Sequence, residues 1–419
     1  MGEPLMTTTG LNPRPRRTHF RRLSLRESFD LPLAVVVLTL FAVGLLMIYS
    51  ASWQYASVQG FSEYQMVMRQ MLIGLAGLGG IVIITLIDYH QYQRFVVPGM
   101  LLIVSLCLLV LLFGSETQFG ARRGLFSGSI QPSEFAKLGV IIYLSFWLYN
   151  KRGRLHMWSY GLIPLLAILG VTAGLILMQP DISAAATIVL LGGVLFFIAG
   201  GKISQILVVV VVTALLGFLL VKVSSTASTR LTDYWNGLQD PKNASDHVKW
   251  SLEAIINGGL FGVGIGRSTT KFIGLPVATT DSIFAVITEE TGLLGAFAVI
   301  ILYVLLLWRG LTIADRAPDT LGKYLASGIT LWIFIEAIIN IGVLVNLLPF
   351  AGNALPFISS GGSSLITTLA AVGILMGISR QSKLAKLSAE RSPRNAVVDL
   401  RRRNRRGSVS RAGSAADGR

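Results

Sequence analysis

Charge and cysteine are what this chain has least of. Only 14% of its 419 residues are Asp, Glu, Lys or Arg, against about 25% in an average soluble domain, so the polar surface of a water-soluble fold cannot be assembled. The single cysteine, Cys107, excludes an intramolecular disulfide and a thiolate metal cluster. The four histidines, His19, His90, His156 and His247, show no ligand spacing. Apolar residues, in contrast, make up 53% of the chain. At about 20 residues for each bilayer-spanning helix, that composition supplies many spans and leaves little for a soluble core. The fold class is therefore all-α, a polytopic membrane protein.

A net charge of +15 would suggest nucleic acid if it lined one groove, but its placement excludes that. Residues 1–30 hold six arginines against three acids, and residues 380–419 hold twelve Lys or Arg against three acids. The body between them is close to neutral, so nucleic acid is not a partner and the two basic tails face anionic membrane lipid. The tail 381–419, rich in Arg, Ser, Gly and Ala without an apolar period, reads as disordered.

Apolar runs long enough to span occur at residues 31–52, 68–87, 95–113, 133–149, 161–178, 184–199, 203–222, 282–308, 323–345 and 362–379. Ten spans place both termini on one side. That side then carries 26 of the 36 basic residues, which the positive-inside rule makes the cytoplasm. The chain divides into a basic cytoplasmic leader (1–30), a ten-span domain (31–380) and a basic cytoplasmic tail (381–419). The first run is too long for a signal-peptide core and is read as retained, although Ser50 and Ala51 loosely imitate a cleavage site. One connection is long, the outer loop 223–281 between spans seven and eight, and loops of that length are usually functional.

Ionisable groups in or beside spans are costly and mark function. Asp281, in LPVATTDSIFAVITEETG, ends the long loop at the outer membrane boundary. It suits either a helix cap or a reacting carboxylate. Glu289 and Glu290 follow about 12 and 13.5 Å deeper along a helix, too far to share a reacting atom with it. Arg122 and Arg123, in FGARRGLFSGSIQPSEFAKLG, occupy a short outer loop where positive charge is disfavoured. They fit either an anionic headgroup or an ion pair with Glu116 or Glu134. Lys137 is either part of a polar cavity or locally paired with Glu134, three residues earlier. The run GGLFGVGIGRSTTKF (258–272) lacks Walker spacing and a strand–helix setting, so it is read as flexible backbone whose Arg267 and Lys271 can grip phosphate oxygens. LPFISSGGSSL (355–365) reads first as a re-entrant turn capped by serine hydroxyls, with Ser363 as a candidate substrate-binding residue.

IQPSEFAKL, RLTDYW with its DP, NGGLFGVGIG, TDSIFAVITEETG and LPFISSGGSSL follow one another in the order found in the SEDS family. On these motifs residues 30–380 resemble that family of FtsW, RodA and SpoVE, ten-span glycosyltransferases that polymerise lipid II into peptidoglycan at the outer face of the bacterial cytoplasmic membrane. The resemblance implies a catalytic aspartate at Asp281, with Thr280 before it, and substrate-binding cations at Arg123 and Lys137. Departures occur at Val277, Thr279 and Ser282, where the family often has Glu, His and Phe, and at Ser360 and Gly124, where Tyr and Trp are usual. The implied chemistry is inversion at the donor sugar. Asp281 acts as base on the acceptor 4-hydroxyl, and Arg122, Arg123, Lys137, Arg267 or Lys271 stabilise the departing pyrophosphate, with a Mg or Mn ion at Asp281 as an optional addition. The chain has no Ser-x-x-Lys motif with the accompanying transpeptidase boxes, so the implied partners are a class B penicillin-binding protein and other divisome proteins. The extended basic tails lean toward the division branch and septal synthesis rather than RodA-like elongation. Two other readings stand beside polymerisation: a lipid II flippase, which needs polar groups along the crossing path, and a scaffold for cell-wall enzymes.

The charge count makes a direct prediction. Reporter fusions after Lys202, Asp319 and Ser392 should report the cytoplasm, and fusions after Ser115, Lys242 and Asn353 the outside; a cytoplasmic signal at Lys242 overturns the placement of the long loop.

Overall fold

The computed structural model describes residues 29–59, 64–116, 122–124 and 131–390. Each of the ten apolar runs is helical: α1 (Leu31–Gln59), α2 (Tyr64–Leu86), α3 (Val96–Phe113), α4 (Pro132–Lys151), α5 (Leu162–Leu177), α6 (Ile182–Ile198), α7 (Ile203–Val223), and then, after the long connection, Ile283–Asp315, Thr320–Leu344 and Gly362–Glu390. Seven of them are long and apolar enough to cross a membrane; Leu162–Leu177 and Ile182–Ile198 are apolar but shorter. Helix α4 carries Glu134 and Lys137 in its first two turns and is less apolar. Among the described residues the strands are limited to an antiparallel pair, β1 (Ser115–Glu116) and β2 (Arg122–Gly124). The leader 1–28 and the tail from 391 lie outside the described residues. The last helix, however, runs on to Glu390, so the first ten residues of the expected disordered tail are helical. QSKLAKLSAE is made mostly of residues with good helix propensity, a local signal that its basic composition obscured.

The bundle is organised about its last helices. Thr320–Leu344 and Gly362–Glu390 are largely buried, whereas α7 is almost wholly exposed along its apolar length, a surface that suits lipid or another membrane helix. Small residues allow close packing. A Cβ on Gly77 of α2 would come within 2.4 Å of the Leu369 side chain, and one on Gly373 within 3.0 Å of Ile84. Trp332, Tyr303, Phe196 and Phe357 are fully buried.

The connection expected to be one long loop is mostly helical. It contains α8 (Ser225–Gln239), a 3₁₀ turn (Pro241–Asn243), α9 (Asp246–Gly258) and a single-turn α10 (Thr270–Ile273). Both α8 and α9 are amphipathic, with only a few buried side chains such as Ala227 in α8 and Val248, Ser251 and Ala254 in α9. One apolar stripe on a polar helix never makes a long apolar run, so a reading by run length passes over it.

The helices after this connection are numbered α11 (Ile283–Asp315), α12 (Thr320–Leu344) and α13 (Gly362–Glu390). Helix α11 is broken at Gly292, which has φ 70° and ψ −173°. A break of this kind frees backbone groups that lipid cannot satisfy, and each would cost several kcal/mol. The glycine run supplies their partners. Val263 and Gly264 N–H donate to the carbonyls of Glu289 and Glu290, both at 3.0 Å, while Leu293 and Leu294 N–H donate to the carbonyls of Gly259 (2.9 Å) and Leu260 (3.3 Å). Contact is so close that a Cβ on Gly258 would lie 2.2 Å from the Thr288 carbonyl oxygen, and one on Gly262 2.2 Å from that of Glu290. The run read as flexible is thus a fitted splint across a helix break.

Gly262→Ala and Gly292→Ala each combine a positive φ with a backbone collision, so each should cost more than about 2 kcal/mol. Gly79→Ala, where an added Cβ meets nothing within 4 Å, should be neutral or stabilise by up to about 1 kcal/mol. Thermal unfolding of the three purified variants checks this, and equal stability of all three would refute the splint.

Candidate active site

Asp281 lies at the end of the turn that leads into α11, whose N-cap position is taken by Ser282 and not by Asp281. Three successive carbonyls fix that turn. Ser360 N–H donates to Thr279 O at 2.9 Å, Ser359 Oγ–H to Thr280 O at 2.7 Å, and Asn340 Nδ2 to Asp281 O at 2.8 Å. Asn340 also holds the Asn353 carbonyl at 2.7 Å, and Gln70 of α2 holds the Ser359 carbonyl at 3.1 Å. The serines of LPFISSGGSSL therefore clamp the main chain of the aspartate turn. Ser363 accepts from Gln131 N–H at 3.0 Å, joining the start of α13 to the start of α4.

These anchors enclose a cavity of about 310 Å³ lined by Glu134, Lys137, Asp181, Thr280, Asp281, Asn353 and the segment Ser360–Ser364, with Gly124 of β2 at its border. Asp281 is half-buried there. Arg122 and Arg123 share β2 with Gly124, which brings their backbone to the cavity edge; their side chains lie outside the described residues. Beneath the cavity, Lys137 is 4% exposed and donates to Glu134 at 2.8 Å and to Glu336 of α12. The local pair with Glu134 expected from sequence is present, and Glu336 is a second partner from across the bundle.

Lys271 and Arg267 fall elsewhere. Lys271 is buried and paired with Glu290 at 2.7 Å, and its ammonium also donates to the Ser50 carbonyl and hydroxyl at 3.1 and 3.0 Å. Glu289 accepts from the backbone N–H and hydroxyl of Thr269, both at 3.0 Å, from Thr270 N–H at 3.3 Å, and from the hydroxyls of Ser268 and Thr270. Arg267 is exposed. Neither Arg267 nor Lys271 lines the cavity: Ser268, Thr269, Thr270 and Lys271 are spent on satisfying the two glutamates beside the helix break.

Two site residues escaped the sequence reading. Asp181 caps α6 through Ala184 N–H at 3.3 Å and also accepts from Ser133 (3.0 Å), Ser183 (3.1 Å) and Gln131 (3.1 Å); the Pro-Asp before an apolar helix was its signal. His247 of α9 lies 3.2 Å from Ser282 Oγ and stacks on Phe350 with ring centroids 4.4 Å apart. Burial pushes its imidazole down to about 4, the Arg230 charge adding to that and Asp246 opposing it, so at neutral pH it is an uncharged hydrogen-bond partner. Nothing in sequence spacing connects residues 247 and 282. Among the described residues no three acids, histidines or cysteines are placed to hold a metal ion.

Residues 31–384 match the sequence profile of the FtsW/RodA/SpoVE family, described as cell cycle proteins. The chain belongs to that family. It is 37% identical to the probable peptidoglycan glycosyltransferase FtsW of Trichlorobacter lovleyi, over 86% of this chain and 96% of the relative. It is likewise 37% identical to the stage V sporulation protein E of Bacillus subtilis, over 85% of this chain and 99% of the relative. Among solved structures it resembles the rod-shape-determining protein RodA of Thermus thermophilus, with a TM-score of 0.63, 26% identity and coverage of 84% of this chain and 97% of that one. A chain of a peptidoglycan synthase complex that coordinates polymerisation and crosslinking matches with a TM-score of 0.68 and 25% identity, over 84% of this chain and 98% of that chain. Like its relatives, this member of the FtsW/RodA/SpoVE family is a multi-pass membrane protein.

The lysine is the member of the site whose role a substitution can resolve. Lys137→Ala removes the cation from two buried carboxylates, so it should cost about 3 to 5 kcal/mol of stability as well as activity. Lys137→Met combined with Glu336→Gln should recover much of the stability. If Lys137→Ala is as stable as the parent, the buried triad is not the structural element described here.

Proposed function

We propose that the protein is a peptidoglycan glycosyltransferase that polymerises lipid II at the outer face of the bacterial cytoplasmic membrane, in septal wall synthesis. The observation that carries this reading is Asp281. Its main chain is pinned at three consecutive carbonyls while its side chain is presented to a polar cavity. In this reading the ten helices that fall on the apolar runs all span the bilayer, both termini are cytoplasmic, and the cavity opens outward at the boundary between membrane and wall.

The chemistry follows from the groups present. The acceptor sugar hydroxyl is a weak nucleophile, and Asp281 takes its proton as its oxygen attacks the anomeric carbon of the donor. The bond from that carbon to the pyrophosphate oxygen breaks, the electron pair leaves with the pyrophosphate, and the configuration inverts. One carboxylate suffices. Leaving-group charge has to be met by cations, and Lys137 is already shared between Glu134 and Glu336. Arg122 and Arg123, at the cavity edge beside Gly124, are therefore assigned the main part of that task, and Lys137 holds the cavity floor at fixed charge. A magnesium or manganese ion would be held by Asp281 together with substrate phosphate oxygens, a donor set that suits magnesium, and would add Lewis-acid stabilisation of the leaving group. An apolar groove of about 320 Å³ lined by Ile84, Phe95, Met100, Ile103 and Ile374 suits a prenyl chain.

Transport of lipid II is the weaker reading on physical grounds. A crossing path needs polar groups that can exchange partners, yet Glu289, Glu290, Glu336 and Lys137 are each engaged in buried bonds inside the bundle. A class B penicillin-binding protein is the proposed partner, in keeping with the resemblance to a synthase-complex chain.

Asp281→Asn keeps shape and removes the proton acceptor, so glycan formation from lipid II by the purified protein should fall 10²- to 10⁴-fold, or about that much, with thermal stability near that of the parent. Full activity in this variant would sink the base assignment. A stable, inactive variant that still moves lipid II across vesicles would separate transport from polymerisation.

A further inference from the structure

At the end of α11 opposite Asp281, a 3₁₀ turn (Tyr89–Arg94) joins α2 to α3 and is bonded to the α11–α12 connection and to α13. His90 in that turn has a carboxylate oxygen on each ring nitrogen. Asp88 Oδ1 lies 2.8 Å from Nδ1, and Oδ2 of Asp319, just before α12, lies 2.6 Å from Nε2. Both acids are held by other donors as well. Asp88 Oδ1 also accepts from the His90 N–H at 2.9 Å and from Gln381 Nε2 of α13 at 2.7 Å. Asp319 Oδ1 caps α12 through Gly322 N–H at 2.7 Å and accepts from the buried Tyr89 hydroxyl at 2.7 Å. The Tyr89 ring stacks on the imidazole with centroids 4.3 Å apart.

The proton on the ring decides whether both bonds can exist. A neutral imidazole has one N–H and one lone pair, and an ionised carboxylate only accepts. In either neutral tautomer one ring nitrogen would turn a lone pair toward a carboxylate, whereas the imidazolium donates to both. With Asp88 Oδ1 fixed by two other donors, the ring is the part that has to turn away, and turning draws Nε2 off Asp319. Burial weakens the hold of the ring on its proton, but the hydrogen bonds and charges of Asp88 and Asp319 outweigh it and raise the pKa above the ordinary histidine value. The other ionisable groups at this end have contacts of their own. Arg380 of α13 donates to the carbonyls of Thr85 and Leu86 at 3.5 and 3.3 Å, and Lys383 to that of Phe29 at 3.0 Å. Arg152 of α4 donates to the Thr320 hydroxyl at 3.3 Å and lies over the Tyr149 ring, and Lys323 of α12 pairs with Asp315 at 3.6 Å. The adjoining turns of α2 and α3 hold no ionisable group, and Arg94 is exposed.

The ordinary explanation is a surface ion pair, since the His90 side chain is 48% exposed and exposed pairs contribute little stability. A single pair would account for one of the two bonds. It does not account for a ring placed between two capping carboxylates, one tied to α13 and the other to α12. Exposure also lets the ring exchange its proton with solvent. Two residues further along the same turn, Tyr92 lines the apolar groove, with Ile87 and Phe95 beside it.

We propose that His90 is a pH-sensitive clamp: with its proton it fastens the 3₁₀ turn, and the groove wall that Tyr92 forms, to the α11–α12 connection, and on losing the proton it lets the turn go. What occupies the groove rests on the function proposed above, whereas the clamp does not.

The test uses the full-length protein in neutral detergent, with no lipid II and no activity readout. Nitroxide labels are placed on Gln91→Cys and Asp315→Cys, both exposed positions, with the buried Cys107 replaced by Ser, and the distance between them is measured by pulsed electron resonance at pH 5.5 and pH 9. The parent should give a narrow distribution at pH 5.5 and a broad one at pH 9, and His90→Gln should give the same distribution at both. Asp319→Asn should reverse the parent's response. Its carbonyl keeps the donors Gly322 and Tyr89 while its NH₂ meets Nε2, so the neutral ring closes the bridge and the imidazolium opens it. Thermal unfolding supplies the second readout. A raised pKa in the folded state gives stability that is complete below about 6.5 and fades as the pH rises through the folded value. The parent should therefore melt about 1 to 3 °C above His90→Gln at pH 5.5, with the gap closing toward pH 9. A gap that is constant with pH, a parent distance that ignores pH, or an Asp319→Asn variant that responds as the parent does would each overturn the clamp.

Discussion

The break in α11 at Gly292 is the constraint on which the rest of the molecule depends. A helix interrupted inside a bilayer exposes carbonyl and amide groups for which no water is at hand. Here the glycine run between α9 and α10 supplies four backbone hydrogen bonds across the interruption, and it approaches that closely because Gly258 and Gly262 have no Cβ to collide with Thr288 and Glu290. Once the loop is fixed there, STTK is carried onto the two glutamates beside the break, and α1 is tied in through Ser50. The first half of α11, which leads directly from Asp281, is thereby held independently of the second half.

Charge inside the bundle follows one rule: among the described residues, the buried charged groups that the cavity does not use have specific partners. Lys137 has Glu134 and Glu336, Lys271 has Glu290, Arg309 has Asp30, and Glu289 has a set of hydroxyl and amide donors. Breaking such a pair is far costlier than the pair is stabilising, so these residues specify which helices meet rather than adding much net stability. The same accounting shapes the chemistry. Lys137 is committed below and Asp181 is bonded by Gln131, Ser133 and Ser183; the proposed mechanism accordingly gives the proton transfer to Asp281 and the further positive charge to the arginines of β2.

The helices were legible because spanning a bilayer needs a long apolar run, and a run of that kind is visible in one dimension. All ten runs became helices, most of them within a few residues, while the first, eighth and last run on seven to eleven residues further. Asp281, Lys137 and Ser363 were legible because polar groups at a membrane boundary stand out against their surroundings. What stayed hidden has a common cause: its signal is a pairing across the chain. Glu336 meets Lys137 from 199 residues away and Asp30 meets Arg309 from 279, and no local pattern announces either. Lys271 was assigned to phosphate because a lysine beside glycines looks available, and only the position of Glu290 shows that it is occupied. The amphipathic α8 and α9 were hidden for a different reason, since half of each helix is polar and a search for apolar runs cannot register a stripe.

The departures from the family pattern around Asp281 follow the same physics. Thr279 stands where a histidine is usual, but the position contributes its carbonyl, which accepts from Ser360. Ser360 stands where a tyrosine is usual, and it contributes its N–H. A bond made by main-chain atoms is indifferent to the side chain, so both positions can change without loosening the turn. Ser282 differs, because it enters a side-chain interaction: with serine in place of the larger phenylalanine, its hydroxyl meets the ring of His247, itself packed on Phe350. This contact ties α9 to the residue next to Asp281. Asp281 lines the cavity while its carbonyl holds the turn in place, and in the proposed mechanism no substitution preserves both that geometry and the proton acceptor.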